Sequence, residues 1–289
     1  MKDKREQLKS IFEDTMNLIM CNTYLHQKAQ DSLSQTKCYQ PDDYPAIELR
    51  PASSGNITVT RHSTFEAAQK LIIAYPEKRI AVLNFASATN PGGGVKKGSS
   101  AQEEALCRCS TLFPVLNQER MWDQYYRKNR AEHNTLHNDA CIYSPSIIVF
   151  KTPTAFPVIM PSEEWFEVDV ISCAAPNLRK DVRNRYNVES GDAVSVSDEE
   201  LYNIHLKRAK HIMAVAAANK VDILVLGAFG CGAFANNPDI VARAFFDALK
   251  DYISYFDLVE FAVYCRPYET ENFQAFYNAC FGKHFTNTI

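Results

Sequence analysis

Four short runs of nearly unbroken apolar character constrain this chain more than any other feature: RIAVLNFA (79–86), FEVDVISCAA (166–175), VDILVLGA (221–228) and LVEFAVYC (258–265). Runs of this length and composition read as strands, and their continuity points to strands buried on both faces. CIYSPSIIVFK (141–151) adds another strand. Helical patterns fill much of the remaining chain. Residues 4–20 place Leu8, Ile11, Phe12, Thr15, Met16 and Ile19 at helical spacing. Ser63 with Glu66, and later Ser197 with Glu200, have the spacing of a capping box; the first announces a helix closed by Pro76, the second a long helix to about Asn219. Residues 101–131 read as helix broken near Phe113-Pro114, and further helices run from Pro238 to about Tyr255 and from Thr270 to Cys280. The pattern weakens between Cys21 and Asn56, and residues 177–196 form a polar loop. Helices alternating with buried strands predict an α/β fold, a three-layer α/β/α sandwich. With no repeat or linker composition, residues 1–289 are expected to form a single domain.

Composition narrows the function. The chain is 46% apolar and 22% charged, as globular proteins are, and its net charge of -3 argues against general affinity for nucleic-acid backbones. Charges interrupt the N-terminal twenty residues throughout, which excludes a signal-peptide core or membrane span there and leads us to expect a cytoplasmic protein. Nine cysteines occur without a C-x-x-C pair or His pairs at zinc spacing, so neither a disulfide framework nor a structural metal is expected. Cys173 and Cys265, both in apolar runs, read as small buried hydrophobes.

Seven of the ten glycines fall in two clusters, Gly92, Gly93, Gly94 and Gly98 in one, Gly227, Gly230 and Gly232 in the other. Both clusters follow buried strands, where ligands bind in open α/β sheets, so the two loops are expected to wall one cleft. In GAFGCGAF (227–234), successive backbone N–H groups ahead of a helix suit an anion, a phosphate above all. Neither cluster fits a dinucleotide or Walker signature.

Behind the first cluster stand Glu103 and Glu104. An ordinary explanation exists, since Ser99 or Ser100 as N-cap would make Gln102 or Glu103 the third residue of a capping box. Neighbouring helix residues diverge by about 100°, so these carboxylates cannot flank one bond; one is free for chemistry while the other orients a sugar hydroxyl. A helix N-terminus favours the ionised carboxylate, whereas a general acid must hold its proton, so a nearby diphosphate and expelled water are expected to supply the opposing push.

With both loops in this order, the chain resembles the bacterial-type poly(ADP-ribose) glycohydrolases of the macrodomain superfamily. The signature is GGG, a six- to eight-residue spacer, then QEE; here Gly92-Gly93-Gly94, seven residues, and Gln102-Glu103-Glu104. LNFASATNPGGG, VISCAAPN and GAFGCGAF are also similar to the family. The resemblance implies a macrodomain-like sandwich with a mixed central sheet and a helical N-terminal extension over 1–56. It further implies hydrolysis of ribose-ribose O-glycosidic bonds in poly(ADP-ribose), with ADP-ribose as product and neither metal nor cofactor. By position, Glu104 would be the catalytic acid and base, and Glu103 would hold ribose hydroxyls. Gln102 belongs to the same signature, Gly92, Gly93 and Gly94 would approach the ribose, and Gly230, Cys231, Gly232 and Ala233 would cradle the diphosphate. Phe234 would pack against the ribose and help bend the ligand, against a plain core role for that residue.

Asn84 and Asn177 are further candidates for polar contacts to the ligand, against a plain turn role. Tyr264 is a candidate adenine-stacking residue, against a core role. The RKNR run at 127–130 reads as a solvated helix face with some capacity to steer an anionic polymer. Partners are therefore poly(ADP-ribose) or ADP-ribosylated macromolecules, with no membrane and no sequence-specific nucleic acid. A hydrolase of mono-ADP-ribosylated protein or nucleic acid, and a non-catalytic ADP-ribose reader, are the competing functions.

Overall fold

The computed structural model describes residues 3–48, 53, 55–182 and 191–282. Two helices, α1 (Lys4–Cys21) and α2 (Thr23–Gln35), lead into a three-residue strand, β1 (Lys37–Tyr39). Next come β2 (Asn56–Thr60), α3 (Thr64–Ala74), β3 (Ile80–Phe85), α4 (Gln102–Cys109) and α5 (Leu112–Leu116). A short α6 (Glu119–Met121) continues through a π-turn at Trp122–Tyr126 into α7 (Arg127–Glu132). The remaining elements are β4 (Cys141–Val149), β5 (Phe166–Cys173), α8 (Asp198–Ala218), β6 (Ile223–Leu226), α9 (Pro238–Tyr252), β7 (Leu258–Ala262) and α10 (Glu271–Phe281).

The strands form one mixed sheet in the order β1-β4-β5-β3-β6-β7-β2. Neighbours from β5 to β2 are parallel, while β1 and β4 run antiparallel at one end. Its two faces bury different sets of one continuous apolar pattern. Ile80, Val82, Val168, Val170, Ile223 and Val225 face a layer containing α3, α4 and α5. Ala81, Leu83, Ile171, Leu224 and Leu226 face a layer containing α8 and α9. This is the expected three-layer α/β/α sandwich.

Several boundaries differ from the sequence reading. The weakly patterned N-terminal stretch holds α2, whose buried residues are only Leu25, Ala29 and Ser32, too small a stripe to stand out. It also holds the edge strand β1, so the extension is helical only in part. The half-buried edge strand β2 was likewise not anticipated. The break predicted near Phe113-Pro114 lies earlier, at Ser110, which bridges to Val149; Pro114 sits within the first turn of α5, where its missing N–H costs nothing. Of the loop expected at 177–196, residues 183–190 lie outside the described residues. Cys173 is buried, but Cys265 lies beyond the end of β7 and is only half-buried. No helix among the described residues is long and apolar enough to cross a membrane.

Helix α1 backs the sheet and the loop after β3. Thr15 Oγ1 donates to Arg108 O at 2.7 Å, and Phe12 meets Phe113 edge-on at 4.9 Å. The buried Lys151 ammonium donates to Ile11 O and Asp14 Oδ2, fixing the same helix to the end of β4.

Candidate active site at the carboxyl edge of the sheet

The parallel strands β5, β3 and β6 end side by side, and three loops leave that edge together. The last residues of β3 divide the site by strand alternation alone. Asn84 lies on the same face as Ile80 and Val82 and meets Glu103 of α4; Phe85 turns to the opposite layer, where its ring lies 5.7 Å from that of Phe229.

Gln102 locks α4 to the strand. Its Oε1 accepts from Phe85 N at 2.8 Å, and its Nε2 donates to Leu83 O and Thr64 Oγ1, so both amide hydrogens are engaged within the protein. Neither Ser99 nor Ser100 caps this helix; the N-cap is Ala101, which has no side-chain acceptor to offer. Ser99 instead gives its carbonyl to the buried Arg108. The capping-box explanation for the Glu pair thus fails.

Both glutamates are buried, and they diverge as helix geometry requires. Glu103 Oε2 accepts from Ser87 N at 2.8 Å, and Asn84 Nδ2 lies 3.4 Å from its Oε1 and 3.0 Å from Ser172 Oγ. Glu104 Oε1 accepts from Gly94 N at 2.8 Å, while its Oε2 is buried with no hydrogen-bond partner among the described residues. Burial, and next the neighbouring Glu104, push Glu103 well above the usual carboxylate range, against its hydrogen bonds from Ser87 and Asn84. At Glu103, desolvation overrides the helix N-terminus that was expected to favour the ionised form.

Gly93 makes this packing possible. Its φ of +55° is left-handed, and a Cβ there would lie 2.6 Å from Glu104 Oε1 and 3.0 Å from Glu103 Oε2. The start of the loop is held from outside by Arg130, which donates to Thr89 O at 2.8 Å and Asn90 Oδ1 at 2.7 Å and lies over Trp122. The RKNR run is therefore not simply a solvated face. Asn129 is buried against Tyr125 O, and Arg127 pairs with Glu119 and Asp123.

The second loop belongs to the other layer. Gly230, at φ +78°, packs where a Cβ would meet Ala175 Cβ at 2.6 Å, so only glycine lets the loop lie against the end of β5. The N–H groups of Gly230, Gly232, Ala233 and Phe234 donate to no acceptor among the described residues, whereas those of Cys231, Ala235 and Asn236 close turns within the loop. Gly232 and Ala233 are exposed, Cys231 and Phe234 half-buried. Such a run of free donors is a ready anion site.

Asn236, not singled out from sequence, staples this loop. Its Nδ2 donates to Pro176 O at 2.7 Å, Gly230 O at 2.9 Å and Phe234 O at 3.3 Å, and its Oδ1 meets His205 Nε2 at 2.9 Å. Burial holds His205 down at about 4, so the ring is neutral and Nε2 carries the proton that Asn236 Oδ1 accepts. Arg208, also missed, is wholly buried: it donates to Asp139 and to the carbonyls of Ala174, Leu136 and His137, tying β5's exit to the preceding loop. No local pattern marks Asn236 or Arg208, because Pro176 and His205 for the one, and Asp139 and Ala174 for the other, are distant in sequence.

Asn177 lies beside the second loop, with its Oδ1 accepting from Arg179 N and Nε. Tyr264, beyond the end of β7, is 65% exposed, which excludes a core role. Among the described residues no group of three or more His, Cys, Asp or Glu is gathered as a metal centre requires.

A family model for the catalytic domain of microbial-type PARG matches residues 16–152. Among solved structures, poly(ADP-ribose) glycohydrolase from Thermomonospora curvata bound to the inhibitor ADP-HPD is 27% identical, with a TM-score of 0.76 over 94% of this chain and 99% of that one. Poly(ADP-ribose) glycohydrolase from Deinococcus radiodurans in complex with ADP-ribose is 31% identical, with a TM-score of 0.75 over 88% of this chain and 97% of that one. No curated protein matches the sequence at a significant level.

Proposed function

The chain belongs to the microbial-type poly(ADP-ribose) glycohydrolases, and from that membership we propose that residues 1–289 act as one catalytic domain releasing ADP-ribose from poly(ADP-ribose), with Glu104 as acid and base. It is a poly(ADP-ribose) glycohydrolase by family and fold. The observation that carries the assignment to Glu104 is the asymmetry of its carboxyl group. Oε1 is anchored on Gly94 N–H, whereas the buried Oε2 has no hydrogen-bond partner among the described residues, and a buried acceptor left unpaired costs ~1–3 kcal/mol, which a bound sugar can relieve.

In its acid form Glu104 protonates the glycosidic oxygen as the bond to the anomeric carbon breaks, and the positive charge spreads onto the ring oxygen. The resulting carboxylate then takes a proton from the water that attacks the same carbon. Glu103, whose proton is held more tightly than that of an ordinary carboxyl through burial beside a second acid, is suited in its acid form both to donate to and to accept from ribose hydroxyls. Asn84 steadies it through Ser172. Gly92, Gly93 and Gly94 admit the sugar, Gln102 fixes the helix that carries both acids, and Gly230, Cys231, Gly232 and Ala233 receive the diphosphate. Phe234 closes over the ribose.

Incubation with poly(ADP-ribose) and with mono-ADP-ribosylated Arg, Ser, Glu and nucleic-acid substrates tests the reading. Free ADP-ribose from the polymer is expected. Release only from a mono-ADP-ribosylated substrate, or binding without release from any, would reassign the site as a different eraser or as a reader.

A further inference from the structure

Directly after β5 the chain runs alongside the second loop and is clipped to it: Leu178 N donates to Phe234 O at 2.9 Å, and Asn236 Nδ2 holds Pro176 O. The next residue is Arg179. Asn177 Oδ1 receives its backbone N–H at 3.4 Å and its Nε at 3.0 Å, which folds the side chain back over the ring of Phe234, with the guanidinium carbon 5.5 Å from the ring centroid. The two terminal nitrogens have no hydrogen-bond acceptor among the described residues, and Arg179 forms no ion pair there. This contrasts with Arg208 and Arg130, whose guanidinium groups are both engaged in the protein.

A partly desolvated guanidinium with no counter-charge among the described residues lies over the residue whose own N–H belongs to the free-donor run at Gly230–Phe234. We propose that Arg179 is a substrate-binding residue whose terminal nitrogens engage the diphosphate received by that loop, the Asn177 bond aiming them and Phe234 supporting them. The proposal rests on the reading of this loop as the diphosphate site. Four backbone donors supply partial charge only, and a guanidinium presents a fork that matches two phosphate oxygens. Burial alone lowers the Arg179 pKa, with no acid acting against it, as expected of a cation poised for an anion that arrives from solution.

Calorimetric titration of ADP-ribose into the full chain, with Arg179→Gln and Arg179→Lys beside wild type and at several salt concentrations, tests this. Arg179→Gln should weaken ADP-ribose roughly 10- to 100-fold, the range for a lost charge-assisted hydrogen bond. Arg179→Lys should recover part of that loss, and the salt dependence of Kd should be shallower in the Gln variant than in wild type. Unchanged affinity in Arg179→Gln would overturn the proposal, as would a loss that Lys does not relieve and that leaves the salt dependence as in wild type, the signature of mere packing on Phe234. Failure of wild type itself to bind ADP-ribose would instead overturn the functional reading beneath it.

Discussion

The two glycine loops lie at one edge of one sheet, yet they are finished in opposite ways. The loop after β3 uses its own donors on its own acids, Gly94 N–H on Glu104 and Ser87 N–H on Glu103, until one carboxyl oxygen is left over. The loop after β6 has four N–H groups with no acceptor among the described residues and draws its rigidity from Asn236 beneath them. They also belong to different helical layers, divided at Asn84 and Phe85, so a ligand touching both spans the sheet edge. One loop places a proton with little freedom to move, and the other waits for a charge.

Substitutions in the two loops should therefore separate turnover from binding. The largest effect is expected of Gly93→Ala, which forces a left-handed alanine against both carboxylates. Displacing a catalytic group by about 1 Å can reduce rate roughly 100-fold, so kcat should fall about that far, and by a much larger factor than ADP-ribose affinity. Equal losses in both would show that the loops are not separable. Asn236→Ala, by leaving carbonyls and His205 unpaired beneath the second loop, should cost ~1–3 kcal/mol of stability in denaturant titration. It should raise KM more than it lowers kcat; a kcat defect alone would contradict the assignment of that loop to binding.

A smaller effect is expected in pH-dependent stability. Burial raises the pKa of Glu103 above its unfolded value, so the folded protein holds that proton more tightly than the unfolded chain. This linkage contributes fully below about pH 4, the unfolded value, and is lost as pH rises through the folded-state pKa. Glu103→Gln, a neutral stand-in, should raise the thermal midpoint near neutrality by ~2–4 °C, about the shift that 1 kcal/mol gives in a large domain. Melting curves of both proteins should converge in acid. A gain that is the same at every pH would mean that the charge on Glu103 is not what it relieves.

The sheet was legible because buried parallel strands are written as continuous apolar runs, and β3, β5, β6 and β7 all lie where those runs do. The edges were not. β1 and β2 are short or half-buried, and α2 presents one leucine, one alanine and one serine to the core, so the apolar contrast that marks an element is weak there. In the site, Glu103 and Glu104 were visible because the acids follow the glycines in one contiguous motif. The anchoring roles of Asn236, Arg208, Arg130 and Arg179 were not, since each depends at least in part on carbonyls, rings or loops brought near by the fold. Ser99 and Ser100 misled for the converse reason: their spacing suits a cap, but Ser99 is turned toward Gly94 and Arg108.

Glu104→Gln, assayed in one preparation for ADP-ribose release from poly(ADP-ribose) and for ADP-ribose affinity, bears most directly on the chemistry. The amide keeps the anchor on Gly94 N–H but cannot exchange a proton with the leaving oxygen. Release should fall by about 100- to 10,000-fold, the usual worth of a general acid and base, with affinity within a few-fold of wild type. Retained release would contradict the role given to Glu104.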